Sequence, residues 1–421
     1  MTKRLKNIVN SEEKKRLLSN FFSLSVLQGA NYILPLITLP YLVRVLGLEY
    51  FGLLAFATAM IAYFNVITDY GFNLTATREI SIHRDNREKV IEIFSSVMII
   101  KFILMIFSFI FMSILVFSFD KLSTNWEVYF LTFGTVIGQV LFPVWFFQGM
   151  ERMKYITYLN ILAKSIFTLA IFVFIHEQSD FWIVPLLTSV GFLIVGVWSL
   201  VLVKKNFNIS FKLQKIDLLK IYLIDGWHIF LSQVNVSLFS NSNIIILGLF
   251  SNNTAVGYYS LAEKIMKTVA RAQIPVTATI FPYISNLIKK NKKQAIAKLK
   301  KIIVIGTILY FILLGLIAIF SEQIILMFFG NEAINSVIVL QIIIIIPWTI
   351  FLNNIFGTQI MLNIGQSKEF LNILFIGAII NLLLCSMLSY YYSYIGTAVS
   401  LLLVEIFIML GMFYYVKKDL L

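Results

Sequence analysis

The chain is poor in charged residues and has a single cysteine, and each shortage excludes a class of protein. Asp, Glu, Lys and Arg make up 13% of the 421 residues, against roughly 25% in a water-soluble domain. So few charges cannot cover a globular surface, which excludes soluble enzymes and soluble nucleic-acid binders. The one cysteine, Cys385, excludes an internal disulfide and a cysteine metal cluster. No His/Asp/Glu spacing, Ser/His/Asp set or Gly-rich phosphate loop is present, so we expect no metal, no cofactor and no enzyme.

Long apolar runs are abundant instead. Hydrophobic residues make up 59% of the chain, and the mean hydropathy is +0.87. A helix needs about 20 apolar residues to cross a bilayer, and the runs show no strand-like alternation. The sequence therefore predicts an all-α integral membrane protein with twelve transmembrane helices. We place these spans near 17–43, 50–76, 91–119, 127–149, 155–175, 181–203, 221–250, 256–287, 302–320, 334–361, 369–391 and 395–416.

The basic residues are distributed unevenly between the two sides of this arrangement. Of the 34 Lys and Arg residues, 27 lie in the even-numbered connections and the two termini, and two lie in the odd-numbered connections. Cytoplasmic loops carry the excess of Lys and Arg, so both termini are predicted to be cytoplasmic. The net charge of +13 then reflects topology and contact with the lipid bilayer, and we expect no nucleic-acid partner.

The chain also divides into two similar halves. Leu46-Gly47-Leu48 and Gly52 in the first half recur as Leu247-Gly248-Leu249 and Gly257 in the second. Six spans per half give both halves the same orientation, related by an axis along the membrane normal. We therefore predict two pseudo-symmetric six-helix lobes, 1–205 and 206–421, around a central cavity. Paired prolines in spans one and eight favour bent, mobile helices there.

Four stretches of the sequence resemble a known family. The resemblance to bacterial polysaccharide (O-antigen) flippases rests on residues 44–52, 69–81, 145–155 and 256–265, which read RVLGLEYFG, DYGFNLTATREIS, WFFQGMERMKY and VGYYSLAEKI. It covers essentially the whole chain. It implies the polysaccharide-transporter branch of the multidrug/oligosaccharidyl-lipid/polysaccharide exporter superfamily, in the bacterial inner membrane. The implied substrate is a polyprenyl-diphosphate-linked oligosaccharide, and other glycan-assembly membrane proteins are further expected partners.

Three basic residues stand inside span eight. Lys264, Lys267 and Arg271, called here the basic row, are three and four residues apart and share one helix face. Each charge at the bilayer centre costs roughly 2.5–3.5 kcal/mol, so the row must face the protein interior or a watery cavity. Phosphate is well matched by lysine and by the planar arginine fork. We expect the basic row to bind the substrate diphosphate; the alternative is an ion-pair network with Asp69, Glu405 or Glu263.

Other polar residues in the spans are candidates for substrate contact or for gating. Lys101 in span three and Asn31 in span one are candidate substrate ligands, although Lys101 could equally reach the cytoplasmic interface. Asp69 and Arg78 bracket the inner end of span two, where they form either a capping or inter-helix ion pair or an inner gate. Arg44 at the outer end of span one is the corresponding outer candidate.

Two acidic residues are assigned to the same gating or ion-pair group. Glu263 is spaced to pair with Lys267 at i,i+4. Glu405, the one acid in span twelve, is either the partner of a buried base or a protonation site.

The leading hypothesis is a flippase that moves a lipid-linked oligosaccharide across the plasma membrane by alternating access. A drug or cation exporter of the same superfamily would favour an acidic and aromatic cavity. A membrane glycan polymerase or glycosyltransferase would present catalytic residues on a large outer loop, and the outer loops here are short. A scaffold without transport activity would not need a buried basic row.

Overall fold

The chain folds almost entirely into helices in the computed structural model. The structure describes the helical course of residues 2–420 and the surroundings of residues 29, 34–35 and 37–417. In chain order the α-helices are α1 (Thr2–Asp69), α2 (Phe72–His83), α3 (Arg87–Ser118), α4 (Asp120–Ser123), α5 (Trp126–Leu141), α6 (Val144–Gly149), α7 (Met153–Phe174), α8 (Ile183–Phe207), α9 (Ile216–Phe250), α10 (Asn253–Arg271), α11 (Ile274–Lys290), α12 (Lys292–Ile319), α13 (Ser321–Phe329), α14 (Asn335–Ile343), α15 (Ile346–Asn353) and α16 (Ser367–Leu420). A π-helical segment, Asn354–Met361, follows α15 directly.

Helices form because a chain segment in lipid must satisfy its own backbone hydrogen bonds, and a helix makes all of them within the segment. Within the described residues, nine helical segments are long and apolar enough to cross a membrane, and none of the chain there forms a strand. The all-α membrane class predicted above is confirmed.

The nine segments correspond to ten of the twelve predicted spans, because Ser367–Lys417 combines two. Of predicted span 17–43, only the end lies within the segment Ile37–His83, since most residues before 37 lie outside those whose surroundings the structure describes. The remaining predicted span, 256–287, forms α10 and α11, and α10 carries four charged residues, Glu263 and the basic row. The count of twelve spans stays a prediction.

The helical course of the chain is interrupted at three notable points. Helix α1 breaks at Gly47, with φ 74°, and α16 breaks at Ser393, with φ 50°. Ser393 Oγ lies 2.8 Å from Ser251 Oγ, so a hydroxyl contact accompanies the left-handed backbone there. Helices α10 and α11 are separated at Ala272–Gln273, and Pro275 stands in the first turn of α11. Proline suits a first turn because its missing N–H would have no helical partner there.

The first of two compact units comprises Met1–Leu46 and Ala57–Ser237. Its apolar core is formed chiefly by α2, α3, α6, α7 and α8, with the fully buried Trp145, Phe146 and Phe147 near its centre. Helix α5 packs along α8, where Ser199 Oγ donates to the Leu141 carbonyl at 3.2 Å.

The second compact unit comprises Gly47–Phe56 and Leu238–Leu421. Its apolar core gathers residues of α11, α12, α15, the π-helical segment and α16. The π-helical segment is held to α11 by Gln359, whose Nε2 donates to the Thr277 carbonyl at 3.1 Å. Helix α9 contributes its first part to the first unit and its last part to the second. Compactness does not test internal symmetry, so the six-helix lobes divided at residue 205 stay a prediction.

Candidate functional site

The basic row occupies one face of α10. This helix begins where Asn252 Oδ1 accepts a hydrogen bond from the Ala255 backbone N–H at 2.9 Å, a standard N-cap. Lys264 and Arg271 are exposed, and Lys267 is half-buried. The opposite face is fully buried and includes Leu261, Ala262, Met266 and Ala270. The row is thus presented by a helix that is anchored along its apolar side.

Lys267 is held by acceptors inside the second unit. Its Nζ lies 3.0 Å from Glu263 Oε2 and donates to the Ser240 carbonyl at 3.3 Å. Glu263 is buried at 4% exposure, and its Oε1 accepts from the Tyr259 hydroxyl at 3.3 Å. The i,i+4 spacing therefore does bring Glu263 and Lys267 together, and this acid offsets one of the three cations.

The other two members of the row are less closely compensated, since Glu263 acts on Lys264 only at a distance. Lys264 Nζ stands 4.6 Å from the centroid of the Phe51 ring, a cation–π contact that leaves the charge in place. Among the described residues, neither Lys264 nor Arg271 forms an ion pair. Two cations without a paired acid on one helix face give the site a positive potential suited to an anion.

A chain of hydrogen-bonded polar side chains supports the helix that carries the basic row. The Tyr259 hydroxyl accepts from Asn243 Nδ2 of α9 at 3.2 Å, and Asn243 Oδ1 accepts from Asn381 Nδ2 of α16 at 2.9 Å. Together with Glu263 these groups connect Lys267 to two further helices. All four are buried, so the network rigidifies the helix face that carries the basic row.

The N-terminal end of α10 crosses α1 very closely. A Cβ at Gly52 would lie 1.8 Å from the Asn253 carbonyl oxygen, and a Cβ at Gly257 would lie 2.3 Å from the Leu48 carbonyl oxygen. Only glycine permits this approach of two backbones. Gly52 and Gly257 are corresponding positions in the repeat seen in the sequence, and the fold places them against each other.

Lys101 is involved in a different arrangement, in the first unit. Its Nζ lies 3.6 Å from Asp69 Oδ1, and Lys101 is 4% exposed. Asp69 also accepts from Asn73 Nδ2 at 2.8 Å. Asp69 thus pairs with Lys101, and a substrate contact for Lys101 stays a prediction.

The turn between α1 and α2 that carries Asp69 packs against α9. Tyr70 and Gly71 have φ of 49° and 82°, and the Tyr70 ring stacks on Phe230 with centroids 4.8 Å apart. A Cβ on Gly71 would lie 2.7 Å from the Ile229 side chain. Glycine is needed at position 71 for both its positive φ and this contact.

Arg78 forms an inter-helix ion pair with a partner that the sequence did not assign to it. Its guanidinium donates to both carboxylate oxygens of Asp225 on α9, at 3.0 and 3.2 Å, and also contacts Glu79 at 3.1 Å. Asp225 is an acid inside predicted span seven, and such residues are functional candidates by default. The position of Asp225 within a predicted span was therefore enough to indicate it as a candidate, although it is not among the residues predicted above.

Of the remaining predicted residues, Glu405 on α16 is buried at 5% exposure and accepts from Asn353 Nδ2 at 2.9 Å. Arg44 is exposed on α1. The side chain of Asn31 lies outside the described residues.

The Arg78–Asp225 pair leads to a charge-reversal prediction. Reversing Arg78→Asp should place three acids together, weaken packing of α2 on α9 by up to about 1 kcal/mol, and reduce surface glycan. The double reversal Arg78→Asp/Asp225→Arg should restore it, as read by lectin staining with protein abundance measured in parallel. The control is Arg84–Glu151, an equally exposed pair at 2.8 Å, whose single reversals should leave export unchanged. Failure of the double reversal to rescue would show that attraction between these two charges is not what export requires.

The chain is similar to known proteins over nearly its whole length. A family model described as "Polysaccharide biosynthesis protein" matches residues 17–288. A candidate O-antigen transporter of Escherichia coli strain K12 is 32% identical over 96% of this chain and 98% of its own length. A candidate O-antigen transporter of Shigella dysenteriae is 27% identical over 94% of this chain and 99% of its own.

Two solved structures share the fold. An inward-facing multidrug resistance MATE transporter of the MOP superfamily has a TM-score of 0.73 and 13% identity, covering 92% of this chain and 94% of that one. Lipid II flippase MurJ in an inward closed conformation has a TM-score of 0.68 and 14% identity, covering 96% and 88%. At these identities the likeness concerns the fold alone.

Proposed function

Because this chain belongs to the polysaccharide biosynthesis protein family, we propose that it is a flippase for an undecaprenyl-diphosphate-linked oligosaccharide. It is a multi-pass membrane transporter and not an enzyme. The proposed cargo is the repeat unit of O-antigen or a related surface glycan. The proposed location is the bacterial inner membrane with both termini in the cytoplasm, in accordance with the distribution of basic residues.

The observation that carries this proposal is the basic row. Three cations on one membrane helix, offset by one acid, would cost roughly 2.5–3.5 kcal/mol each if they faced lipid. Lys264 and Arg271 are exposed and form no ion pair within the described residues, so they require water or an anionic ligand. A diphosphate supplies several acceptor oxygens within reach of a lysine point charge and an arginine fork.

The three residues then have different tasks. Lys264 and Arg271 bind the diphosphate directly, while Lys267 is positioned by Glu263 and Ser240 and stabilises the helix face. Asn31 and other amides of spans one, two and seven remain proposed contacts for sugar hydroxyls. The polyprenyl tail stays in the lipid, because burying its hydrocarbon in a charged site would bring no gain.

Transport by alternating access needs closures at both ends of the path. We assign the outer closure to the crossing of α1 and α10 at Gly52 and Gly257, where the backbones leave no space between them. At the other end, Arg78 and Asp225 hold α2 against α9. Arg44 is a further outer candidate.

A cation exporter is the competing function, since a MATE transporter shares the fold. The exposed charges of Lys264 and Arg271 would repel a cationic drug, whereas they attract a diphosphate. The basic row therefore favours the lipid-linked glycan.

The deciding experiment uses a strain in which the gene is deleted. We expect lipid-linked glycan to accumulate on the cytoplasmic side of the membrane, and surface glycan to disappear, because the cargo has no other route. Mass spectrometry of extracted lipids identifies the accumulated species and therefore the glycan. Normal surface glycan, together with increased sensitivity to cationic drugs, would instead identify an exporter.

A further inference from the structure

Two acidic side chains are deeply buried among the described residues, and their surroundings differ. Glu263 is 4% exposed and Glu405 is 5% exposed. Glu263 has Lys267 at 3.0 Å and the Tyr259 hydroxyl at 3.3 Å. Glu405 has a single hydrogen-bond partner in the described part of the chain, the neutral amide of Asn353.

Glu405 also lies deep in its membrane helix. It is twelve residues after the break at Ser393 and twelve before Lys417, which places it about 18 Å from either point along the helix. Its neighbours Val404 and Ile408 belong to the apolar core of the second unit. An ionised carboxylate in such surroundings needs a counter-charge, and otherwise it binds a proton.

The helices around α16 supply no counter-charge. Helices α14 and α15, the π-helical segment and the part of α9 that lies in the second unit, residues 238–250, contain no titratable residue. The titratable residues of the other two helices packed against α16 are Tyr258, Tyr259, Glu263, Lys264, Lys267 and Arg271 on α10, and Lys292, Lys293, Lys298, Lys300, Lys301 and Tyr310 on α12. On α16 itself the described titratable residues besides Glu405 are Lys368, Glu369, Cys385, Tyr390, Tyr391 and Tyr392 before the break at Ser393, and Tyr394, Tyr414, Tyr415 and Lys417 after it. In the described structure none of these forms an ion pair or hydrogen bond with Glu405.

Asn353 is suited to both protonation states of Glu405. Its Nδ2 donates to Glu405 Oε2 at 2.9 Å, while its own Oδ1 is buried and has no hydrogen-bond partner. The donor stabilises a carboxylate, and the vacant acceptor can receive the O–H of a carboxylic acid. Asn353 is also the last residue before the π-helical segment, and such segments occur frequently at functional sites.

We infer that Glu405 is a proton-binding site that is loaded and unloaded during transport, with Asn353 as its positioning residue. The role in transport rests on the proposed flippase function. Loading forms one O–H bond on the carboxyl group with a proton from water, and unloading returns that proton to water. No other bond changes.

The first test reads the proton directly, by infrared spectroscopy of the purified protein in lipid across a pH series above the range in which exposed carboxyl groups titrate. We expect a protonated-carboxyl C=O band that disappears as pH rises, in the wild type and in Glu322→Gln, which alters an exposed acid. The band should be absent from Glu405→Gln. In Asn353→Ala it should persist to higher pH, because the donor that stabilises the carboxylate is gone. A titrating band that survives in Glu405→Gln, or a Glu405 band that never titrates, would overturn the inference.

The second test reads coupling in proteoliposomes, with a fluorescent undecaprenyl-diphosphate sugar as the probe. The wild type and Glu322→Gln should move the probe at a rate that depends on an imposed pH gradient. Glu405→Gln should lose that dependence, since its side chain cannot exchange a proton. If it keeps the dependence, or if the wild type moves the probe regardless of the gradient, the inference fails and the flippase function stands. If the wild type moves no probe while the infrared band titrates, the proposed function fails and the proton site stands.

Discussion

Replacing Lys264 and Arg271 together with alanine is expected to abolish export of the surface glycan while the protein remains in the membrane. These are the two cations of the basic row that form no ion pair with a described acid, so they are available to bind the diphosphate. A hydrogen bond to a charged group contributes about 1.5–3 kcal/mol, so losing two should lower transport on the order of 10²- to 10⁴-fold. Surface glycan is measured by lectin staining, and abundance by immunoblot of membranes.

Lys289→Ala/Lys290→Ala is the matched control, since it removes two exposed lysines near the end of α11 and changes the net charge equally. This control variant should export surface glycan at the wild-type level. Arg271→Lys should retain part of the activity, because charge survives and only the planar fork is lost. Normal export from Lys264→Ala/Arg271→Ala at native abundance would disprove diphosphate binding by the row.

Lys267 should respond differently, because it is held by Glu263. Removing its charge leaves a buried carboxylate unpaired, which typically costs about 3–5 kcal/mol. Lys267→Ala should therefore lower abundance, and the companion change Glu263→Gln should restore it.

The second large effect is expected at the crossing of α1 and α10. Gly257→Ala places a methyl group against the Leu48 carbonyl, where a Cβ would be 2.3 Å away. Overpacking of this kind costs about 1–3 kcal/mol, enough to shift a two-state equilibrium roughly 5- to 150-fold. If the crossing is the outer closure, the variant should insert normally and lose most of its export.

Gly315→Ala in α12 is the control, because a Cβ there would have no atom within 4 Å. It should leave export unchanged. The converse change is a crosslink between Leu48→Cys and Tyr258→Cys in a Cys385→Ser background. Holding the crossing shut should arrest export until the linker is cleaved. Undiminished export with the crosslink complete would show that these helices need not separate.

The sequence by itself determined the fold class and the positions of the charged candidates. Apolar runs in a bilayer must become helices, since unsatisfied backbone groups are too costly there, and the all-α class followed from composition alone. The i,i+4 spacing of Glu263 and Lys267 was also enough to predict that the two side chains pair, because helix geometry brings them together whatever the rest of the chain does. The break between α10 and α11, after Arg271, lies just before Pro275. The local effect of a proline on a helix can be predicted from its position in the sequence.

Contacts between distant parts of the chain were decided only by the tertiary structure. Asp225 became the partner of Arg78 across 147 residues, and Asp69 became the partner of Lys101. The close approach at Gly52 and Gly257 was visible in the sequence only as a repeat, since a glycine does not reveal which backbone lies against it. Glu405 shows the difference best: the sequence left it either paired with a base or free to bind a proton. The tertiary fold places Glu405 among apolar side chains beside the amide of Asn353. None of the described charged groups on the helices around it forms an ion pair with it.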